Sequence, residues 1–324
     1  MNDTNNEAFI ISDGVLEKYC GKETDIVIPD GVYRIGKHAF SGKSEILSVT
    51  IPYGVTEIGQ AAFRSCWKLK NINLPDTVRL IEWDAFYSCT SLESIIIPQG
   101  VEMLYADIFR DCYSLKKVQM PDTLTDISSG AFRSCRSLTE IEIPDSVTSI
   151  GLHTFEGCSN LKSIKLPASI TEINDSTFWG CKALSSFEIP GVKTIDDNAF
   201  AACDSLRSIV FRNYVTINEY AFGSCDSLES VEFRSGCRLA YQAFAACKNL
   251  KSVTFDYKPS LDARLAFERC PNLTEFIIEG KTVPRSSVSS PEPLFGAEPK
   301  EEYVLTEEDI LARDNLNLWR GGHL

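Results

Sequence analysis

Twelve cysteines and three histidines are the side chains of this chain with the widest chemical reach. Thiols and imidazoles bind zinc, carry electrons or attack carbonyl carbons, and each task imposes a spacing. Zinc sites need ligand pairs two to four residues apart, and no two cysteines here are that close. Ten of them fall instead into a regular series: Cys66, Cys89, Cys112, Cys135, Cys158, Cys181, Cys203, Cys225, Cys247 and Cys270; Cys20 and Cys237 lie outside it. Ser41-Gly42-Lys43-Ser44 ends like a phosphate-binding loop, but that motif needs glycine where Lys37 stands, and no strand-to-helix context surrounds it. No base, nucleophile and orienting group recur within reach of one another. The expectation is a chain that is not an enzyme and holds no cofactor or metal.

The elements that place these residues are coils of a repeat. A phenylalanine precedes each cysteine of the series by three, at Phe63, Phe86, Phe109, Phe132, Phe155, Phe178, Phe200, Phe222, Phe244 and Phe267, with Phe40 before them all. Its intervals are 23 residues six times, 22 three times, then 23. A fixed period of this size marks a solenoid, in which no unit buries its apolar face alone. An aliphatic residue sits five before most of these phenylalanines, as at Ile58, Ile81 and Leu104, and a leucine three after each cysteine. Leu138-Thr139-Glu140-Ile141-Glu142-Ile143 alternates toward its end like a strand with one buried face, and Pro144 ends it. Val147-Thr148-Ser149-Ile150 alternates again, and Phe155-Glu156-Gly157-Cys158 has the spacing of one helical turn. Each coil therefore reads as strand, turn, strand and short helical turn.

Stacked strands repeat at about 4.8 Å, so His38 and His153, equivalent residues five coils apart, stand roughly 24 Å apart, too far to share a metal or a proton. Neighbouring thiols come near enough for a bridge by Cα separation, but their common direction along the ladder disfavours one. The column is expected to be reduced, buried and inert, with cysteine acting as a small hydrophobe, which suits a reducing compartment.

At these residues the chain resembles the BspA-like, or Treponema-type, leucine-rich repeats, whose pattern is Leu-x-x-Ile-x-Ile-Pro-x-x-Val-x-x-Ile-Gly-x-x-Ala-Phe-x-x-Cys-x-x. Residues 51 to 66 and 143 to 158 follow it nearly position for position. The resemblance implies a repeat solenoid, mainly β with short helical turns: a right-handed, curved leucine-rich repeat array of about 11 rungs. Members of this family occur in anaerobic, host-associated bacteria and some protist parasites, and surface-exposed members are linked to adhesion and host-matrix binding. That implies a non-enzymatic scaffold for a protein partner. A second reading is an intracellular assembly component that recruits its partner through the C-terminal tail.

Three regions follow: a capping hairpin over residues 1–28, turning at Asp13-Gly14, the solenoid over 29–280, and a Pro-rich linker with a C-terminal helix or cap over 281–324, where Thr306-Glu307-Glu308-Asp309 reads as a helix start. After Pro190 the strand-ending proline disappears and Phe211, Phe233 and Phe255 replace the aliphatic residue before it. A net charge of −13 argues against a nucleic-acid partner. No basic segment followed by an apolar run opens the chain, and no stretch is apolar enough to insert in a bilayer. The reading is cytoplasmic as written, or cell surface or secreted if a leader precedes this sequence.

If the interior is filled, only outer faces remain to act. Alternate residues of the first strand point outward, among them Lys117, Gln119, Glu140 and Glu142. Large aromatics in otherwise polar places, Trp67, Trp83, Tyr87, Tyr105, Tyr113 and Trp179, complete the candidate protein-contact set, because Trp and Tyr dominate interface hot spots.

Overall fold

The computed structural model describes residues 8–259 and 263–287, and the coils stack as a β-solenoid of about 11 turns. Most carry two short parallel strands. On the front face these begin with Asp25–Val27, Ser48–Thr50 and Asn71–Asn73, paired in register, as Val49 with Ile72. On the back face Arg34–Ile35, Glu57–Ile58 and Leu80–Ile81 pair in the same way. The strands are brief because proline, lacking an N–H, follows the front strand within two residues in most coils. Where proline is missing the strand gains a residue, and Ser208–Phe211, Ser230–Phe233 and Ser252–Phe255 form a longer ladder. There Phe211, Phe233 and Phe255 stack as a second aromatic column, 5.0–5.2 Å between rings.

The segment expected as a helical turn is built differently. Its residues two before and two after the phenylalanine hold positive φ, as at Ala61 (53°) and Ser65 (59°). A left-handed residue at every fourth position prevents a continuous helix, and the amides alternate instead. Those of Ala62, Arg64 and Cys66 close tight turns onto Gly59, Ala61 and Phe63, whereas those of Ala61, Phe63 and Ser65 reach Trp83, Ala85 and Tyr87 of the next coil. From Ala61 to Cys66 each backbone donor is used either within the coil or between coils. Among the described residues the α-helix is the single turn Ala263–Ala266.

The core is a set of columns. The phenylalanine rings from Phe40 to Phe267 stack face to face at 4.9–5.6 Å, flanked by the buried cysteines, leucines and aliphatics. In the 22-residue coils the rings lie 4.9–5.1 Å apart and the back ladder runs unbroken from Glu172 to Leu239. From Phe63 to Phe178 the separation rises to 5.4–5.6 Å. That exceeds the roughly 4.8 Å of paired strands, and ladders here are interrupted on both faces.

Hairpins finish both ends. Phe9–Ser12 and Val15–Tyr19 pair antiparallel across Asp13 and Gly14, both with positive φ, the geometry of a two-residue primed turn. Tyr19 then starts the aromatic column, 5.3 Å from Phe40. At the far end Glu275–Ile278 pairs antiparallel with Lys281–Pro284 across Glu279 and Gly280, again both left-handed. A boundary at residue 281 therefore falls inside paired structure, and residues 281–287 are strand and 3-10 turn where a linker was expected. The helix start expected at Thr306 lies outside the described residues.

Candidate protein-binding surfaces

Each series cysteine is buried, and its Sγ donates to the backbone carbonyl of the phenylalanine one coil earlier at 3.1–3.3 Å. The same carbonyl takes a backbone N–H three residues on: Phe63 O accepts from the Cys66 amide and from the Cys89 thiol. Burial pushes the Cys66, Cys158 and Cys225 thiols up to about 12, so each remains a protonated donor at neutral pH. All twelve cysteines are free. No group of three or more metal-ligating side chains converges among the described residues, and no described helix is long and apolar enough to cross a membrane.

On the turn edge, the residue after each phenylalanine forms a ladder of Arg64, Tyr87, Arg110, Arg133, Glu156 and Trp179. Tyr87 is half-buried between two guanidinium groups, 4.4 Å from Arg64 and 5.5 Å from Arg110. Arg64 pairs with Asp84 at 3.2 Å, and Arg110 lies 3.7 Å from Asp107. Burial raises both carboxyls above their usual range, against the pull of those arginines. Arg133 and Glu156 form a buried pair at 2.7 Å, and His153 Nδ1 lies 2.6 Å from the other Glu156 oxygen. Trp179 is half-buried at the end of this ladder. One ridge over, Trp67 and Tyr113 each follow a series cysteine and are exposed, with Arg136 stacked 4.6 Å from the Tyr113 ring.

On the front face Lys117, Glu140 and Glu142 line a cleft of about 680 Å³ together with Lys116 and Lys165, and Gln119 is exposed beside it. The cleft exists because the sheet opens there. Residues 140–142 keep the buried Ile141 between two exposed glutamates, yet they form no strand. The ladder stops at Lys117–Gln119 and resumes at Ser163–Lys165. Among the described residues, the amides of Thr139, Glu140, Ile141, Glu142 and Ile143 donate to nothing. The strand expected from the alternation is thus corrected: residues 140–142 keep the burial periodicity without the pairing.

On the back face Trp83 and Tyr105 meet, rings 6.1 Å apart. The ten candidates thus occupy three surfaces, and the structure brings together Trp83 with Tyr105 and Lys117 with Glu140 and Glu142. Sequence reading missed Arg64, Arg110, Arg133 and Glu156. Aligning the residue after each phenylalanine would have shown opposite charges and aromatics one coil apart.

Comparison with known proteins follows the same lines. The family model described as BspA type leucine rich repeat region (six copies) matches residues 10–139, 125–251 and 216–288. No curated protein matches. The chain is similar to a leucine rich cell surface protein from Faecalibacterium prausnitzii, 25% identical over 88% of this chain and 96% of that one, with a TM-score of 0.51. It is also similar to a leucine-rich repeat protein of T. pallidum, 29% identical over 63% of this chain and 91% of that one, with a TM-score of 0.44. With its phenylalanine, cysteine and leucine columns in place and the family model spanning most of its length, the chain belongs to the BspA-type leucine-rich repeat family.

Proposed function

We propose that this protein is a non-enzymatic scaffold that presents its outer faces to another protein at the cell surface, in an adhesive or host-matrix-binding role. Repeats of this family serve as protein-interaction scaffolds and are typically non-enzymatic. The carrying observation is the filled interior: the stacked phenylalanine and cysteine columns are fully buried, which leaves side-chain chemistry to the walls. The cell-surface placement draws support from the similar Faecalibacterium protein, which is described by that location. Binding of the purified chain to immobilised extracellular-matrix proteins, with protease shaving of intact cells, tests the reading. Binding with loss of the protein on shaving supports it; full protection in intact cells, with no matrix binding, overturns it.

A second reading is an intracellular assembly component, and the twelve unbridged cysteines favour it. Protection from shaving together with recovery in a soluble cytosolic complex would select it.

A further inference from the structure

The back sheet opens once beneath a pair of aromatic residues, the exposed Trp83 and the half-buried Tyr105. Its ladder joins Arg34–Ile35, Glu57–Ile58 and Leu80–Ile81, then starts afresh at Met103–Leu104. In flanking coils the residue after the second strand donates to the coil before: Gly59 to Ile35, Glu82 to Ile58 and Ser128 to Leu104. Tyr105 holds the equivalent position, and its N–H makes no hydrogen bond, nor does that of Glu102. A second opening, between Ile150 and Asn174, is bridged by the Asn174 side-chain amide, which donates to Ile150 O at 2.6 Å. At Tyr105 itself there is no such bridge among the described residues; the two coils are joined by a side chain only further back, where Arg79 donates to Gln99 O at 3.2 Å.

Apolar side chains gather at this opening. Leu80 and Met103 occupy the outward position of their strands, where neighbouring coils carry Arg34, Glu57, Asp126 and Ser149. Trp83 is 45% exposed and its ring meets Tyr105. The rim is acidic. Glu102, exposed, precedes Met103 in the chain, and Asp126, half-buried, pairs with Met103 from the next coil; neither is in an ion pair among the described residues. Arg34 is held by Glu57 and Glu82 at 3.2 Å each. Arg79 is turned onto the carbonyls of Asp76, Val78 and Gln99.

We propose that this opening docks an extended peptide segment of a protein partner, with an aromatic or aliphatic side chain seated on Trp83, Tyr105, Leu80 and Met103 and flanking Lys or Arg facing Glu102 and Asp126. The apolar platform supplies affinity, and the acidic rim supplies selectivity for a basic segment. The proposal deepens the scaffold reading above by naming the face and the partner chemistry.

Panning a phage-displayed random peptide library against the full chain, followed by fluorescence polarisation with the selected peptides, tests it. The expected peptides carry an apolar residue between basic ones. Trp83→Ala and Tyr105→Ala each weaken them by about tenfold or more, and Glu102→Lys with Asp126→Lys abolishes the preference for basic flanks, all with the circular dichroism spectrum unchanged. Selection of acidic peptides, or binding indifferent to Trp83→Ala, overturns the proposal. If the peptides instead respond to Lys117→Ala or Glu142→Ala, the scaffold reading stands and this site falls. If the folded chain selects no peptide and binds no matrix protein, both fall.

Discussion

The guanidinium of Arg285 donates to the backbone carbonyl of Phe267 at 2.6 Å, the place taken in each earlier coil by the thiol of the next cysteine. It also donates to the carbonyls of Cys270 and Leu273, so one side chain closes the open end of the column that cysteines close elsewhere.

Arg285→Ala is therefore expected to fray the last coil. Hydrogen bonds to a charged donor are worth about 1.5–3 kcal/mol each at most, and partial exposure discounts that, so a loss of about 2 kcal/mol is expected, confined to residues 267–284. Hydrogen exchange checks it: amides of Glu275–Ile278 should lose protection while those of the central coils keep theirs. Uniform loss would show that the column end is not what Arg285 holds.

The thiol column sets an alkaline limit. An unfolded thiol titrates near 8.5, whereas Cys66, Cys158 and Cys225 stand at about 12 in the fold. The folded value is the higher, so above pH 8.5 the unfolded chain binds fewer protons than the native one. The stability these groups contribute is fully present below about pH 8.5 and is lost progressively as pH rises to 12, by about 1.4 kcal/mol per thiol per pH unit. The thermal midpoint should fall steeply from pH 9 upward, and Cys158→Ala should lower the starting value but flatten the fall. At pH 8 a thiol reagent should modify the exposed Cys20 in the native chain and all twelve cysteines after denaturation.

The open front sheet at residues 139–143 predicts local dynamics. Their amides, without protein acceptors, should exchange within seconds. Those of Ile95 and Gln119, which sit in a paired ladder, should be protected for far longer. Equal protection would mean that the ladder closes in solution.

How much of this was readable in advance depended on which interactions repeat. The phenylalanine, cysteine and leucine columns were legible because one spacing governs them all, and Asp13-Gly14 announced its hairpin because a primed turn needs two left-handed residues. Glu279-Gly280, between Ile277-Ile278 and Lys281-Thr282-Val283, carried a similar signal that the prolines beyond it obscured. The openings at Glu140 and Tyr105 were not legible, since these coils carry the same columns as their neighbours and rings 5.5 Å apart also span paired strands, as between Phe63 and Phe86. The Tyr87 ladder lay between: its members are 23 residues apart, and only the stacking of coils makes them neighbours.

Removing one ring from the aromatic column should show whether the array is held together locally. Phe109 is fully buried, with Phe86 at 5.5 Å and Phe132 at 5.6 Å on its two sides. Phe109→Ala deletes both stacking contacts and leaves a cavity with no side chain able to fill it, at a cost of about 3–5 kcal/mol. In a linear array stability is a sum of coil and nearest-neighbour terms, so the loss should fall on the interfaces that coil makes with its two neighbours. Denaturant unfolding should then split into two transitions, the coils before residue 86 separating from those after residue 132. The parent should unfold over a narrower range. A single transition shifted as a whole would mean that the solenoid behaves as one cooperative body, with coupling that reaches well beyond adjacent coils.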